Sequence, residues 1–161
     1  MLKNIILIGC MTMLAMAVFP QAVRKMKVTE LEAYIHSCDH PLIVSFWATF
    51  CAPCVAEIPY FQSITEKYRD LRPELLLVSL DLPEDYPSKI ADFARKKNFT
   101  AGLAWLNESN ADYFCPKIDK GWSGAIPSTL FVNNKTGYRR FFEQSLTAAL
   151  FEETTRAMLA L

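Results

Sequence analysis

Cys51 and Cys54, separated by Ala52 and Pro53 in the stretch FWATFCAPCVAEIP, are the one closely spaced pair among five cysteines. A thiol attacks as its thiolate, and a free cysteine with a pKa of about 8.5 is mostly protonated at neutral pH. The first turn of a helix changes that balance, because its unpaired N–H groups and the positive end of its dipole favour an anion. Cys51 falls at such an end, and Cys54, one turn in on the apolar side, is shielded. The asymmetry assigns roles: Cys51 attacks a substrate disulfide, and Cys54 then attacks Cys51 and releases the reduced substrate. Pro53 suits the turn, since its missing N–H falls where amides lack helical partners. Other uses of the pair fit less well. A zinc site wants four ligands, usually as two such pairs, and Cys38, Cys115, His36 and His40 are single residues without that spacing. Haem attachment needs a histidine after the second cysteine, where Val55 stands. A staple across two residues removes little unfolded-state entropy. The sequence therefore predicts a redox dithiol, with no metal and no cofactor.

The elements that would hold this pair can be read from periodicity. Pro41 to Ala48, PLIVSFWA, is an unbroken apolar run of the kind found in buried strands of parallel sheets. From Pro53 the period becomes helical, with Cys54, Ile58, Phe61, Thr65 and Tyr68 on one face and Pro59 expected to kink the helix. Thr29 to Glu32 reads as a capping box opening a short helix to about Ser37. Glu74 to Asp81 is a second buried strand, followed by a helix that turns Ile90, Phe93 and Ala94 inward. GLAWLN suggests a short strand, and a short helix runs from Asn110 to about Ile118. Ser128 to Phe142 reads as a hairpin turning at Gly137, and a closing helix carries Leu146, Leu150, Thr154, Met158 and Leu161 on one stripe. Such an order gives an α/β fold, a central mixed β-sheet with helices on both faces. Chemistry in these sheets sits at the carboxyl ends of the parallel strands, where Cys51 lies.

The 161 residues, 52% hydrophobic and 21% charged, leave room for one domain with a real core. Seventeen basic residues balance seventeen acidic ones, which argues against nucleic acid as a partner. Residues 1–22 differ from the rest: Lys3 precedes an apolar run from Ile5 to Phe19. They read as a signal peptide, with cleavage after Ala17 or Ala22, or as an N-terminal membrane anchor; acylation of Cys10 is a third reading. Residues 23–161 would then form an extracytoplasmic domain, in the periplasm or cell envelope, and a monomer.

VSFWATFCAPCVAEIP, with GAIPSTLFVNNKTG further on, resembles the thioredoxin-like fold, and more closely its exported TlpA/ResA-type thiol:disulfide oxidoreductases. The resemblance runs over nearly all of Thr29 to Leu161. It implies a cis Pro127 in a loop facing the dithiol, where the backbone of Ile126 pairs with an extended substrate segment. The activity it implies is reduction of protein disulfides in the cell envelope, with apocytochrome c thiols as one target and an upstream thiol as electron donor. A disulfide oxidase or isomerase is the alternative, and a peroxidase or a non-catalytic binding module lies further off. Peroxidase chemistry of the related type wants a threonine where Ala48 stands. Two departures from the family pattern bear on the chemistry. Phe50 replaces the usual tryptophan before the first cysteine, which keeps an aromatic shield and loses an indole N–H. Ser45 stands where thioredoxins carry a buried aspartate, so Glu57 and Asp81 become candidates for proton transfer, although each reads more simply as a solvated surface carboxylate. Trp122 is a candidate for the wall of the substrate groove or for packing beneath it. Trp47 and Trp105 read as core, Cys38 as a buried free thiol, and Cys115 as a thiol in the segment leading to Ile126.

Overall fold

The computed structural model describes residues 22–161. At its centre is β2 (Leu42–Trp47), whose six residues are all buried. Strand alternation sends Leu42, Val44 and Phe46 into one core layer and Ile43 and Trp47 into the other, so this strand is apolar on both faces. It pairs in parallel with β3 (Glu74–Ser79) and antiparallel with β5 (Ser128–Asn133). The full order is β1 (Val23–Met26), β4 (Gly102–Leu106), β3, β2, β5 and β6 (Tyr138–Phe142), a mixed six-stranded sheet. Helices α1 (Val28–Ser37) and α4 (Ala111–Ile118) cover one face. Helices α2 (Ala52–Lys67), α3 (Ser88–Lys96) and α5 (Ala148–Leu159) cover the other. Phe61 of α2 stacks on Phe151 of α5 at 3.9 Å between ring centroids, and both are fully buried. Each such ring removed from water contributes about 1.5–3 kcal/mol, which ties the closing helix to the one that carries the dithiol.

Several local expectations change. Strand β1 was not foreseen: only Val23 of its four residues is buried, and Arg24 and Lys25 are exposed at the sheet edge, so it shows no apolar run. Helix α1 starts earlier than the Thr29 box implies. Its N-cap is Lys27, whose backbone N–H donates to Glu30 Oε2 at 2.6 Å, so Glu30 rather than Glu32 closes the box. Pro59 lies inside α2 without ending it. The buried face of α5 is Phe151, Thr154, Thr155 and Met158; Leu161 lies past the helix and is exposed. Thr154 and Thr155 bury their hydroxyls by donating to the carbonyls of Leu150 and Phe151 at 2.7 and 2.8 Å, which makes polar residues acceptable on a core face. Gly137 takes the positive φ of 72° at the β5–β6 turn, as expected of that glycine. Among the described residues no helix is long and apolar enough to cross a membrane. The readings of residues 1–22 as signal or anchor, and of Cys10 as a lipoprotein site, fall outside the described residues except at Ala22.

Candidate active site

Strand β2 ends at Trp47, and the chain passes through a tight turn into α2. Cys51 N–H donates to the Ala48 carbonyl at 3.0 Å, closing the turn and turning Phe50 outward, where its side chain is 71% exposed. Cys51 is the N-cap residue of α2, its sulfur accepting from the Cys54 N–H at 3.4 Å and its carbonyl from the Val55 N–H at 3.0 Å. Pro53 falls in the first turn, where no intrahelical donor is required. Cys51 and Cys54 form a disulfide with a Cα–Cα separation of 5.3 Å. Cys51 keeps 8% of its surface and Cys54 1%, so the helix-end sulfur is the one a partner can reach.

The second wall comes from topology. Because β5 runs antiparallel to β2 with Phe46 opposite Ser128, the start of β5 lies beside the end of β2. The Ile126–Pro127 peptide immediately before β5 is cis, and Ile126 packs against the core cluster that contains Cys51 and Cys54. The loop leading to it is held by two residues. Trp122 is buried against the rings of Phe46, Phe114 and Phe141 at 4.4, 5.6 and 5.8 Å and donates its indole N–H to the Ala125 carbonyl at 2.9 Å. It supports the loop from beneath. Glu143, which the sequence did not single out, accepts from the backbone N–H groups of Ser123 and Ala125 at 3.0 Å each, and from the Ser123 hydroxyl. Cys115 is a buried free thiol beneath the same loop: a Cβ at Gly124 would lie 3.5 Å from its sulfur. Burial pushes that thiol up to about 11, with Glu143 and Asp112 adding to the effect, so it stays protonated. Cys38 is likewise free and buried, and Trp47 and Trp105 are core.

The surface reading of the two carboxylates is overturned: Glu57 is 1% exposed and Asp81 4%. Asp81, just past β3, accepts from the Thr49 N–H at 3.0 and 3.1 Å, from the Thr49 hydroxyl at 2.6 Å and from the Ser79 hydroxyl at 2.7 Å. Its backbone carbonyl accepts the Trp105 indole N–H at 2.8 Å. Those bonds offset the burial of the charge and fasten Thr49, two residues before Cys51, to the end of the neighbouring strand. Glu57 is placed differently. It lies three residues beyond Cys54 in α2, accepts only the Leu146 N–H at 3.1 Å, and leaves Oε1 with no hydrogen-bond partner. Burial, partly opposed by that one bond, raises its carboxyl to about 7. Ser45 is buried in the middle of β2, level with Leu77 and Thr129 on the flanking strands.

The AhpC/TSA family model matches residues 19–137. Over 40 residues the chain is 45% identical to the thiol-disulfide oxidoreductase ResA of Oceanobacillus iheyensis, an alignment spanning 25% of this chain and 21% of that protein. Among solved structures, a thioredoxin-related protein from Neisseria meningitidis serogroup B superposes with a TM-score of 0.61 at 20% identity, over 77% of this chain and 86% of that one. A secreted Mycobacterium tuberculosis disulfide oxidoreductase homologous to E. coli DsbE superposes with a TM-score of 0.55 at 16% identity, over 78% and 85%. The fold is thioredoxin-like, the one these solved structures share.

Proposed function

We propose, from the premise that the chain belongs to the AhpC/TSA family and carries a thioredoxin-like fold, that it is a thiol:disulfide oxidoreductase that reduces protein disulfides. The observation that carries this reading is the disulfide of a helix-capping Cys51 with a buried Cys54, set at the carboxyl end of β2 beside the cis Ile126–Pro127 loop. In the reduced form the Cys51 thiolate attacks a substrate disulfide, forming one S–S bond and releasing one substrate thiolate. Cys54, losing its proton, attacks Cys51; the second substrate thiolate leaves and the Cys51–Cys54 disulfide remains. The substrate gains two electrons, and an upstream dithiol returns them. Glu57, its carboxyl held near neutral pH, takes the Cys54 proton. Asp81, its oxygens engaged by Thr49 and Ser79, positions the turn. Ile126 offers its backbone to an extended substrate segment, Phe50 supplies an exposed apolar contact, and Trp122 holds the loop in place.

Residues 1–22 act as an export signal or membrane anchor for a domain of residues 23–161, which works as a monomer in the periplasm or cell envelope. The secreted M. tuberculosis protein, which shares the fold, supports that location. Insulin reduction tests the activity: the wild type turns over, and Cys51→Ser abolishes it. A Cys54→Ser variant accumulates substrates as mixed disulfides through Cys51. A dithiol potential above about −150 mV would replace reductase by oxidase, and unchanged insulin reduction in Cys51→Ser would remove the enzyme reading.

A further inference from the structure

At the opposite end of the sheet from the dithiol, three side chains converge that the redox chemistry does not use. Cys38 and His40 lie in the segment between α1 and β2, and Glu74 opens β3. The parallel pairing of β2 and β3 brings them together, since Leu42 stands opposite Glu74. The His40 Nε2 atom is 3.3 Å from Cys38 Sγ and 2.7 Å from Glu74 Oε2, and one ligand atom from each of the three residues lies within 4.8 Å of the others. We propose that Cys38 Sγ, His40 Nε2 and Glu74 Oε2 form a binding site for a borderline-soft divalent cation of the zinc type, with water as the fourth ligand.

Three observations carry this assignment. The first is spacing. Tetrahedral zinc with bonds of about 2.0–2.3 Å holds its ligands about 3.3–3.6 Å apart. The sulfur–nitrogen distance of 3.3 Å already falls in that range, and the nitrogen–oxygen pair at 2.7 Å needs to open by about 0.6–0.9 Å, within the reach of a glutamate side chain. The second is the set of supporting groups. His40 Nδ1 lies 3.0 Å from Asp39 Oδ1, the carboxylate–histidine arrangement that fixes an imidazole with its other nitrogen free to ligate. The Tyr34 hydroxyl donates to Glu74 Oε2 at 2.5 Å, and Arg24 approaches the other oxygen at 4.0 Å, so the carboxylate is held from both sides. The third is access: Cys38 is buried while the side chains of His40 and Glu74 are 25% and 27% exposed, which leaves an entry path and room for water. One thiolate, one imidazole and one carboxylate are a donor set suited to zinc and unsuited to calcium or magnesium, which take oxygen ligands.

Binding breaks the Cys38 S–H bond, forms an S–metal bond and passes the proton to solvent; no electrons move. His40 exchanges its contact with Glu74 for the ion. The site is independent of the reductase reading: the five residue steps from Leu42 to Trp47 along β2 already separate the two ends by about 17 Å.

Cobalt(II) titration of the full chain tests the site. A Cys10→Ser background removes a competing thiol, and the oxidised Cys51–Cys54 form removes the competing dithiol. One equivalent of cobalt should give a sulfur-to-cobalt charge-transfer band with the intense ligand-field bands of four-coordinate cobalt, and zinc should displace it. Cys38→Ser should abolish the charge-transfer band, and His40→Gln and Glu74→Gln should each weaken binding tenfold or more. Cys115→Ser should leave it intact. No charge-transfer band in the wild type, or one that survives Cys38→Ser, overturns the proposal. Urea melts of the Cys38→Ser and His40→Gln variants verify that they fold, and a failed insulin-reduction assay alongside an intact cobalt spectrum would count against the reductase reading alone.

Discussion

Glu57 offers the sharpest quantitative test, because its carboxyl is buried with one acceptor oxygen unpartnered and is raised from about 4.5 to about 7. Between those two values the folded state binds more protons at this site than the unfolded chain, so its contribution to stability falls as pH rises. At 1.36 kcal/mol per pH unit the full cost is about 3 kcal/mol, reached above pH 7, and roughly 2–3 kcal/mol of it develops between about pH 5 and pH 8. The perturbation is Glu57→Gln, which keeps an oxygen for the Leu146 N–H and cannot ionise. Urea denaturation of the oxidised protein at several pH values gives the difference in stability between variant and wild type. His40, raised by its hydrogen bonds to Asp39 and Glu74, acts in the same sense, but it is present in both proteins and cancels. The difference should shift in favour of Gln by that amount from pH 5 to pH 8. A difference that stays flat would refute the burial argument. In turnover, the rate at which Cys54 resolves the mixed disulfide should rise through pH 7 in the wild type and lose that inflection in Glu57→Gln.

Three further substitutions probe how the site is held. Asp81→Ala leaves the Thr49 N–H and two hydroxyls without their acceptor and should cost about 3 kcal/mol in denaturant melts, with Asp81→Asn costing less; a loss below about 1 kcal/mol would mean that the turn is held by other contacts. Phe50→Ala, at an exposed position, should change stability by less than about 0.5 kcal/mol while raising KM for a protein disulfide and leaving a small disulfide substrate unaffected. Phe61→Ala should cost about 3–5 kcal/mol by calorimetry, since it opens a void under α5; a Tm close to that of the wild type would indicate that the α2–α5 interface collapses to refill it.

The parts of the fold legible in the sequence are those whose pattern is local. An unbroken apolar run marked β2 and a shift to helical period marked α2, because burial on both faces of a central strand and on one face of a helix each leaves a one-dimensional signature. Strand β1 left none. A four-residue edge strand with two exposed cations is indistinguishable from a linker until its partner β4 is known. The α1 cap misled for a related reason: Thr29 and Glu32 have capping-box spacing, but Lys27 precedes Glu30 at the same spacing, and a backbone donor needs no particular side chain at the N-cap.

The site divides along the same line. Cys51 and Cys54 are marked by residue type and spacing, and the family resemblance points to Pro127, before any contact is known. Glu57 and Asp81 were placed in sequence but not in environment. Both read as surface carboxylates, and both are buried, in opposite ways. Asp81 is satisfied by residues 32 and two positions away in sequence, which makes it an anchor for the turn. Glu57 has one bond, from Leu146, 89 positions away, which is too little to offset its desolvation. Whether a buried carboxylate is an anchor or a proton carrier is thus decided by how many donors the fold delivers to it, and those donors come from other strands and loops. The same reasoning reaches Ser45: in the proposed mechanism, with a serine in the middle of β2, Glu57 is the under-satisfied carboxylate that α2 provides for the proton of Cys54.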